Sequence, residues 1–253
     1  MIRANTFRST FVILSIMTTN VETHVYARTV RNRAKYCELH PGVYHWIQQE
    51  VYAKNAVWQK VYTNQVLMEQ YDWVWLLDAR DAMIMNGSID LRVLVGKLLL
   101  EEPKRSIDVI IARDFNEMNA GSFFIRSSEW SKQLLTHAWL QDEPSDHWWQ
   151  EQGSLMTMRD ENRVGFKDHL MELEQQRSTL FNAYFFGPGK HFQDGDFLLH
   201  APSQGWGGLY NFIHENNLRE VMRRSGRVRK AIKWQEGKPV IYYIDAADMK
   251  ELS

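Results

Sequence analysis

Cysteine is almost absent from this chain, since Cys37 is the single one among 253 residues. An internal disulfide is therefore excluded, and redox chemistry has no structural role. Long hydrophobic runs are absent as well, because none approaches the ~20 residues that a membrane-spanning helix needs. The longest early run, Phe11 to Met17, predicts a buried first strand. The core of a signal peptide is the alternative, but no small-residue cleavage pattern follows the run.

The chain also lacks an excess of charge of either sign. Its 30 Lys and Arg residues balance 31 Asp and Glu residues, which gives a net charge of −1 and a pI near 6.8. Such a chain has no overall positive field of the kind that drives binding to nucleic acid or anionic membranes. We therefore expect small or neutral partners and no nucleic acid. The basic segment at residues 219–233 is typical of a solvated face, with an anionic glycan or lipid headgroup as the alternative.

Hydrophobic residues make up 44% of the chain, enough for one sizeable core. We predict one domain over residues 1–225 and a C-terminal extension, residues 226–253, packed on the same domain. The ten Trp residues are a heavy load, and Trp148, Trp149 and Trp206 fall in polar or Gly-rich segments. Their flat faces would suit sugar rings, and packing at the rim of the core is the alternative.

The order of the predicted elements indicates an α/β fold. Helical periodicity and short apolar runs alternate along the chain, which favours a largely parallel sheet covered by helices on both faces. Strands are predicted at residues 11–18, 43–47, 73–77, 109–112, 123–125, 169–173 and 197–199, and a hairpin at 230–244. Helices are predicted at residues 26–40, 58–66, 89–100, 130–138, 148–158 and 208–225, and loops at 114–119, 142–146 and 187–189.

The stretch YDWVWLLDARDAMIMN, residues 71–86, leads from an apolar run directly into two carboxylates, Asp78 and Asp81. The run at residues 73–77 lacks Gly and Pro, as is typical of a strand buried on both faces. Open α/β sheets bind ligands at the carboxyl ends of their strands, and two carboxylates near a core need a counter-charge. A divalent cation would supply it. The alternative is that Asp78 caps a turn and Asp81 pairs with Arg80 or Arg105.

The backbone between Asp78 and Asp81 decides whether the two carboxylates can act together. In an extended chain they would point to opposite faces, whereas a bulge or a turn would return them to the same side. Two Asp residues and an Arg are poorly suited to continue a buried strand, so we predict a turn.

Several short motifs, in this order and spacing, resemble glycosyltransferase family 34. This family comprises retaining enzymes of the GT-A fold, among them fungal α-galactosyl- and α-mannosyltransferases and plant xyloglucan xylosyltransferases. The resemblance extends over residues 11–208. The motifs are NRAKYCELH at 32–40, Trp58-x-Lys60, the strand ending in Asp78 to Asp81, NAGSFFIRSSEW at 119–130, Glu151-Gln152, Asn182-x-Tyr184 and Gly195-Asp196-Phe197 to His200.

Two features depart from the family pattern. The family's Asp-x-Asp motif is one residue longer here, so that Ala79 stands where the first Asp is expected. The Phe-x-Gly-Cys expected after His200 is replaced by APSQG, residues 201–205. The longer motif could have cost metal binding, so a catalytically silent relative that binds a nucleotide sugar or a glycan is the alternative function. A nucleotidyltransferase is disfavoured, because no Gly-rich, Lys-containing phosphate loop follows the first strand.

The resemblance implies a GT-A-like three-layer sandwich with a central, mostly parallel sheet. It implies a retaining transferase that moves a hexose or pentose from a nucleoside-diphosphate sugar, a UDP- or GDP-sugar, to a hydroxyl of a glycan acceptor. Charge that develops on the leaving diphosphate requires a cation, and carboxylates with one imidazole suit Mn²⁺ better than Mg²⁺. For a eukaryotic protein, the resemblance also implies the Golgi lumen or association with a membrane.

The same resemblance assigns roles to single residues. Asp81 and His200 are the expected metal ligands, with Asp78 as the third, and the side chains of Asp81 and His200 are expected to lie close together. Glu151 and Gln152 are expected to face the anomeric carbon, with Gln152 holding the transferred sugar. Ordinary packing of His200 and a solvated helix start at residues 151–152 are the structural alternatives. The expected donor contacts are Thr18, Asn20, Arg33, Lys60, Asp78, Arg80, Asn119, Gly121 and Ser122.

Overall fold

The computed structural model describes residues 9–17, 23–53, 56–103, 105–140, 149–184, 191–193, 195–202, 231–235 and 238–242. The strands are β1 Phe11–Ile16, β2 Val43–Gln48, β3 Trp73–Leu77, β4 Ala82–Ile84, β5 Val109–Asp114, β6 Glu117–Arg126, β7 Leu170–Leu173, β8 Ala183–Tyr184, β9 Leu198–His200, β10 Ala231–Gln235 and β11 Lys238–Tyr242. The helices are α1 Thr23–Leu39, α2 Gln59–Leu67, α3 Leu91–Glu101, α4 Glu129–Leu140, α5 Gln150–Asp160 and α6 Phe166–His169, with 3₁₀ helices at Arg163–Gly165 and Gln175–Leu180.

Eight strands form one sheet in the order β11-β10-β2-β1-β3-β6-β5-β7. Strand β1 pairs in parallel with β2 and β3, β10 with β2, and β5 with β7. Strand β6 is antiparallel to both of its neighbours, β3 and β5. Three further strands form a second sheet of order β4-β9-β8, whose apolar residues join the cluster of Trp75. The predicted α/β fold with a mostly parallel central sheet is confirmed.

The side chains of β3 show why the sheet is covered on both faces. Val74 and Leu76 belong to one apolar cluster, which α2, α4 and α5 complete. Trp73, Trp75 and Leu77 belong to a second cluster, which α1 and α3 complete. Because successive side chains of a strand point to opposite faces, a continuous apolar run satisfies both clusters. The result is three layers, helix–sheet–helix, as predicted.

The segment predicted as a loop, residues 114–119, is a tight hairpin between β5 and β6. The turn is confined to residues 115 and 116, and β6 begins at Glu117, whose φ of 81° lies in the left-handed region. The loop prediction was wrong because it read polar residues as solvent-facing. Asp114, Asn116 and Asn119 instead line a cavity.

The predicted C-terminal hairpin is confirmed, because β10 and β11 pair antiparallel, and Ile232 of β10 pairs with Trp46 of β2. The division at residues 225 and 226 stays a prediction. The predicted loops at 142–146 and 187–189, the helix at 208–225 and most of the basic segment lie outside the described residues. Among the helices that the structure describes, none has the length and hydrophobicity needed to span a bilayer.

Candidate metal and donor site

A turn at residues 79–81 links the end of β3 to β4, with Asp78 immediately before the turn and Asp81 as its last residue. The backbone N–H of Asp78 donates to the carbonyl of Gly121 at 2.8 Å, and that of Ala201 donates to the carbonyl of Asp81, also at 2.8 Å. One end of the turn is therefore tied to β6 and the other to the end of β9. The predicted turn is confirmed.

This turn brings Asp78 and Asp81 next to His200. The imidazole Nε2 of His200 lies 3.6 Å from Oδ2 of Asp78 and 4.0 Å from Oδ1 of Asp81. One potential ligand atom from each residue lies within 4.8 Å of the other two. Ligand atoms that share one ion through bonds of about 2.1 Å lie at most about 4.2 Å apart, so both His200 distances are within reach of a shared ion. The expected approach of Asp81 and His200 is present; metal binding stays a prediction.

The imidazole of His200 has a buried nitrogen that could bind a cation. Its side chain is fully buried, yet Nε2 has no hydrogen-bond partner among the residues that the structure describes. A buried imidazole nitrogen without a partner is costly unless a ligand satisfies it. Gly121 makes room for the ring, because a Cβ atom on residue 121 would lie 2.3 Å from Cε1 of His200. Gly121 also lies on the cavity wall, and its expected contact with the donor sugar stays a prediction.

Lys60 joins the metal-ligand cluster to the pair Glu151-Gln152. Its ammonium nitrogen lies 2.9 Å from Oδ1 of Asp78 and 3.0 Å from Oε1 of Glu151. Burial raises the pKa of Glu151, and Lys60 offsets part of this effect. Burial alone would raise the pKa of Asp78, but Lys60 and His200 together outweigh it and lower the pKa. Asp78 thus gives one oxygen to Lys60 and keeps the other towards His200.

Arg33 supports the turn from behind. Its guanidinium is fully buried and donates to the carbonyls of Asp78 and Ala82, the latter at 3.2 Å, and to the hydroxyl of Ser15. Burial lowers the pKa of Arg33 to about 9, which leaves it charged at neutral pH. Arg33 was expected to contact the nucleotide-sugar donor. Its N–H groups instead point at the backbone carbonyls of Asp78 and Ala82. The structure therefore places it as a support for Asp78.

Other expected donor contacts differ in their placement. Ser122 is fully buried, donates to the carbonyl of Phe181 at 2.8 Å and accepts from the indole of Trp75 at 3.0 Å. Its hydroxyl therefore joins parts of the fold to each other. Arg80 has a side chain that is 46% exposed, and its guanidinium lies 3.9 Å from Asp81. Thr18 and Asn20 lie outside the described residues.

A cavity of about 400 Å³ opens beside the cluster. Its size is in the range of small-molecule and cofactor sites. The expected site residues on its wall are Lys60, Asp78, Asn119, Gly121, Glu151, Gln152 and His200. The carbonyl Oε1 of Gln152 accepts from the backbone N–H of Ala120 at 2.8 Å, which fixes the start of α5 against β6. The cavity therefore gathers residues from both halves of the chain.

Sequence reasoning missed some of the residues on this wall. They are Val57, Asp114, Phe115, Asn116, Gln150 and Pro202. Asp114 repeats the pattern that identified Asp78, a carboxylate at the end of an apolar strand, and could have been found by that signal. Trp149 was predicted to offer a flat face or to pack at a rim, and it lies at the cavity. Trp148 and Trp206 lie outside the described residues.

A three-layer α/β sandwich with carboxylates and a histidine around a cavity at the carboxyl end of a central strand agrees with the class of GT-A-type glycosyltransferases. One solved structure similar to this chain is "a glycosyltransferase involved in the glycosylation of the major capsid of PBCV-1". The match has a TM-score of 0.61 at 12% identity and covers 81% of this chain and 99% of that one. At this level of identity the likeness shows the fold alone.

The chain belongs to the galactosyl transferase GMA12/MNN10 family, whose model matches residues 8–102 and 96–202. The resemblance to glycosyltransferase family 34 is thereby confirmed. An α-1,2-galactosyltransferase of Schizosaccharomyces pombe is 29% identical over 163 residues, 51% of this chain and 43% of that protein. An uncharacterised α-1,2-galactosyltransferase of the same organism is 31% identical over 213 residues, 69% of this chain and 55% of that protein. The chain thus spans about half the length of these curated relatives.

Proposed function

We propose that this chain is a retaining glycosyltransferase that moves a sugar from a nucleoside-diphosphate sugar to a glycan hydroxyl and depends on a divalent cation. The observation that carries the proposal is the cluster of Asp78, Asp81 and His200 beside the cavity that Gln152 and Glu151 also line. A cation-binding group next to a cavity for a small molecule suits transfer from a diphosphate sugar, because the cation can neutralise charge on the leaving group.

The residues present fit a divalent cation. Two carboxylates and a buried Nε2 without a partner among the described residues make a donor set of hard oxygens and one nitrogen, which favours Mn²⁺, with Mg²⁺ as the alternative. Asp81, His200 and Asp78 would hold it. When bound, such a cation neutralises the charge that develops on a leaving diphosphate.

The orientation of Gln152 supports its role towards the transferred sugar. A backbone N–H can only donate, so the contact with Ala120 identifies the accepting atom of Gln152 as Oε1. The amide nitrogen Nε2 is left to donate to a sugar hydroxyl. Glu151, held by Lys60 beside it, would stabilise positive charge at the anomeric carbon in the transition state.

Galactose is the first donor sugar to test, because the relatives are named α-1,2-galactosyltransferases. UDP-galactose carries an α-linked sugar, so an α-linked product would correspond to retention. A glycan acceptor and a lumenal compartment follow as expectations from the same activity.

Calorimetric titration with UDP-galactose in the presence of Mn²⁺ tests the site. Asp81→Asn should abolish Mn²⁺-dependent donor binding, and Asp78→Asn should weaken it in part. Asp160→Asn serves as the control, because Asp160 is exposed and pairs with its neighbour Arg159 much as Asp81 lies near Arg80. Unchanged affinity in Asp81→Asn would contradict the metal assignment. UDP-xylose and GDP-mannose in the same assay would show whether galactose is the right sugar.

Product analysis tests the chemistry. NMR of the first-formed product should show the α anomer, and an inverted product would rule out retention. Gln152→Ala should lower kcat more than it raises KM, because an interaction with the reacting ring matters most in the transition state. Wild-type protein that binds the donor with Mn²⁺ but neither transfers nor hydrolyses it would instead be the catalytically silent relative.

A further inference from the structure

A chain of buried polar side chains runs behind His200, on the side of the ring away from Asp78 and Asp81. It links Asp114 at the end of β5, Asn119 in β6, Asn182 just before β8 and His200 at the end of β9. Three of these residues, Asn119, Asn182 and His200, are buried. Donor and acceptor roles along such a chain can be assigned from its fixed ends.

Asn119 is fixed in orientation at both ends of its amide. The backbone N–H of Gly121 donates at 3.0 Å to one terminal atom of Asn119, which must therefore be the oxygen Oδ1. The other terminal atom, Nδ2, lies 3.0 Å from Oδ2 of Asp114, and a carboxylate accepts. A flipped amide would place a nitrogen against the N–H of Gly121 and an oxygen against the carboxylate. The two contacts thus agree on one orientation.

Asn182 inherits its orientation from Asn119. One terminal atom of Asn182 lies 3.0 Å from Oδ1 of Asn119, so it must be the donor Nδ2. The remaining atom is the oxygen Oδ1, which lies 2.7 Å from Nδ1 of His200. An amide oxygen only accepts, so Nδ1 of His200 must carry a proton.

In the neutral imidazole, the proton on Nδ1 determines the state of the other ring nitrogen. A neutral imidazole has one N–H, so Nε2 has a lone pair and faces the oxygens of Asp78 and Asp81 at 3.6 and 4.0 Å. A lone pair directed at two carboxylates is repulsive unless a cation lies between them. The opposite tautomer would let Nε2 donate to Asp78 and would remove a metal ligand.

Asp114 adds charge to the far end of the chain. Its Oδ2 accepts from Asn119 and, at 2.8 Å, from the hydroxyl of Tyr184. Hydrogen bonds in series polarise one another, most strongly where water is excluded. Metal-ligating histidines commonly donate their other N–H to a carboxylate, which raises the basicity of the ligating nitrogen. Here two asparagine amides lie between the carboxylate and the imidazole.

We propose that Asp114, Asn119 and Asn182 form a hydrogen-bonded relay that fixes the proton of His200 on Nδ1 and so keeps Nε2 available to a divalent cation. This rests on the proposed function for the identity of the ligand. Asp114 and Asn182 are positioning residues, which act on the ion through His200. The tautomer itself is a property of the metal-free protein and can be measured without an ion.

The experiment uses the full chain labelled with ¹⁵N-histidine. NMR of the ring nitrogens in metal-free protein, at a pH high enough to leave the imidazole neutral and with His200 assigned by its loss in His200→Gln, should show Nδ1 protonated and Nε2 unprotonated. Asn182→Leu removes the acceptor and should move the proton to Nε2, with a 10- to 100-fold loss of Mn²⁺ affinity by calorimetry, the usual effect of removing a group behind a ligand. Asn182→Asp keeps an acceptor for Nδ1 and should keep the tautomer.

Asn64→Leu is the matched control. Asn64 is also buried, and neither of its amide atoms has a partner among the described residues. Its replacement should change neither the tautomer nor the Mn²⁺ affinity. The relay is wrong if His200 of the wild type is protonated on Nε2, if Asn182→Leu leaves both readouts unchanged, or if Asn182→Asp moves the proton. A wild type with Nδ1 protonated and no affinity for Mn²⁺ would support the relay and overturn the proposed function.

Discussion

Gly121 lies so close to His200 that a Cβ atom on residue 121 would come within 2.3 Å of Cε1 and 2.9 Å of Nε2 of the imidazole. The same Cβ would lie 2.8 Å from Oδ2 of Asp78. Atoms do not approach this closely without displacement. The backbone of β6 thus packs directly against His200 and Asp78, and residue 121 must be glycine because a larger side chain has no space.

Gly121→Ala should therefore damage the site and cost stability. His200 is fully buried and cannot move into solvent, so relief of the contact must come from the backbone, at about 1–3 kcal/mol for an overpacked core. Mn²⁺-dependent donor binding, measured by calorimetry, should be lost. Gly96→Ala in the interior of α3 is the control, where alanine should favour the helix and leave donor binding intact. Normal Mn²⁺ affinity in Gly121→Ala would show that this contact does not limit the site.

Lys60→Met should lower the free energy of unfolding more than the same replacement of a surface lysine does. It removes the cation between Asp78 and Glu151, and breaking a buried ion pair costs about 3–5 kcal/mol. Lys132 offers a matched control, because its ammonium also lies between two carboxylates, those of Glu69 and Glu129, on the surface. Urea unfolding of Lys132→Met should give a midpoint close to wild type. Equal shifts in both variants would contradict a stabilising role for Lys60.

Asp81→Asn should stabilise the metal-free protein as the pH rises. Burial, and then the charge of Asp78, raises the pKa of Asp81 above its ordinary value of 3.8. A carboxyl group with a higher pKa in the folded state binds its proton more tightly there, so the folded protein loses stability as the pH rises from 3.8 through the raised value. Asp81→Asn does not lose this stability at neutral pH, so it should be more stable than the wild type there. Below pH 3.8, where Asp81 is protonated in both folded and unfolded protein, the two should be equally stable.

Urea unfolding in the presence of a chelator, repeated across this pH range, measures the effect. Asp160→Asn, at an exposed carboxylate, should follow the wild-type profile. The advantage of Asp81→Asn should reverse when Mn²⁺ is added, since the ion stabilises only protein that can bind it. A variant that is less stable than wild type at neutral pH without metal would show that Asp81 is satisfied by its neighbours.

Arg33→Lys should weaken Mn²⁺ binding and the fold together. A lysine has one point of charge and cannot span the carbonyls of Asp78 and Ala82. A buried carbonyl left without its donor costs about 1–3 kcal/mol. The control is Arg105→Lys, because Arg105 also donates to two backbone carbonyls, those of Lys167 and Leu170, at a partly exposed position. Calorimetry should show reduced Mn²⁺ affinity in Arg33→Lys and wild-type affinity in Arg105→Lys. Equal affinities in the two variants would show that Arg33 does not support the metal ligands.

The framework of the fold was predictable because it depends on local patterns. The apolar run of β3 must be buried on both faces wherever it lies, and the polar residues Asp78 to Asp81 cannot continue it. Both carboxylates of the candidate cluster follow from that one stretch. The position of His200 at the end of an apolar strand follows in the same way.

The roles of Arg33, Ser122 and Asn182 were not predictable, because their partners come from distant segments. Arg33 donates to backbone carbonyls, which every residue has, so no sequence pattern marks them. The hairpin at residues 114–119 was read as a loop because polarity normally indicates solvent. A polar cavity produces the same signal, and only the tertiary structure tells the two apart.

The pairing of β4 with β9 places Ala82 opposite His200, so the candidate metal ligands come from strands that are far apart in the chain. A polypeptide still being synthesised has Asp78 and Asp81 long before His200 leaves the ribosome. On the proposed function, a nascent chain that ends before His200 lacks one of the three expected ligands and should bind manganese more weakly. Manganese affinity would therefore rise once β9 has been synthesised and has paired with β4.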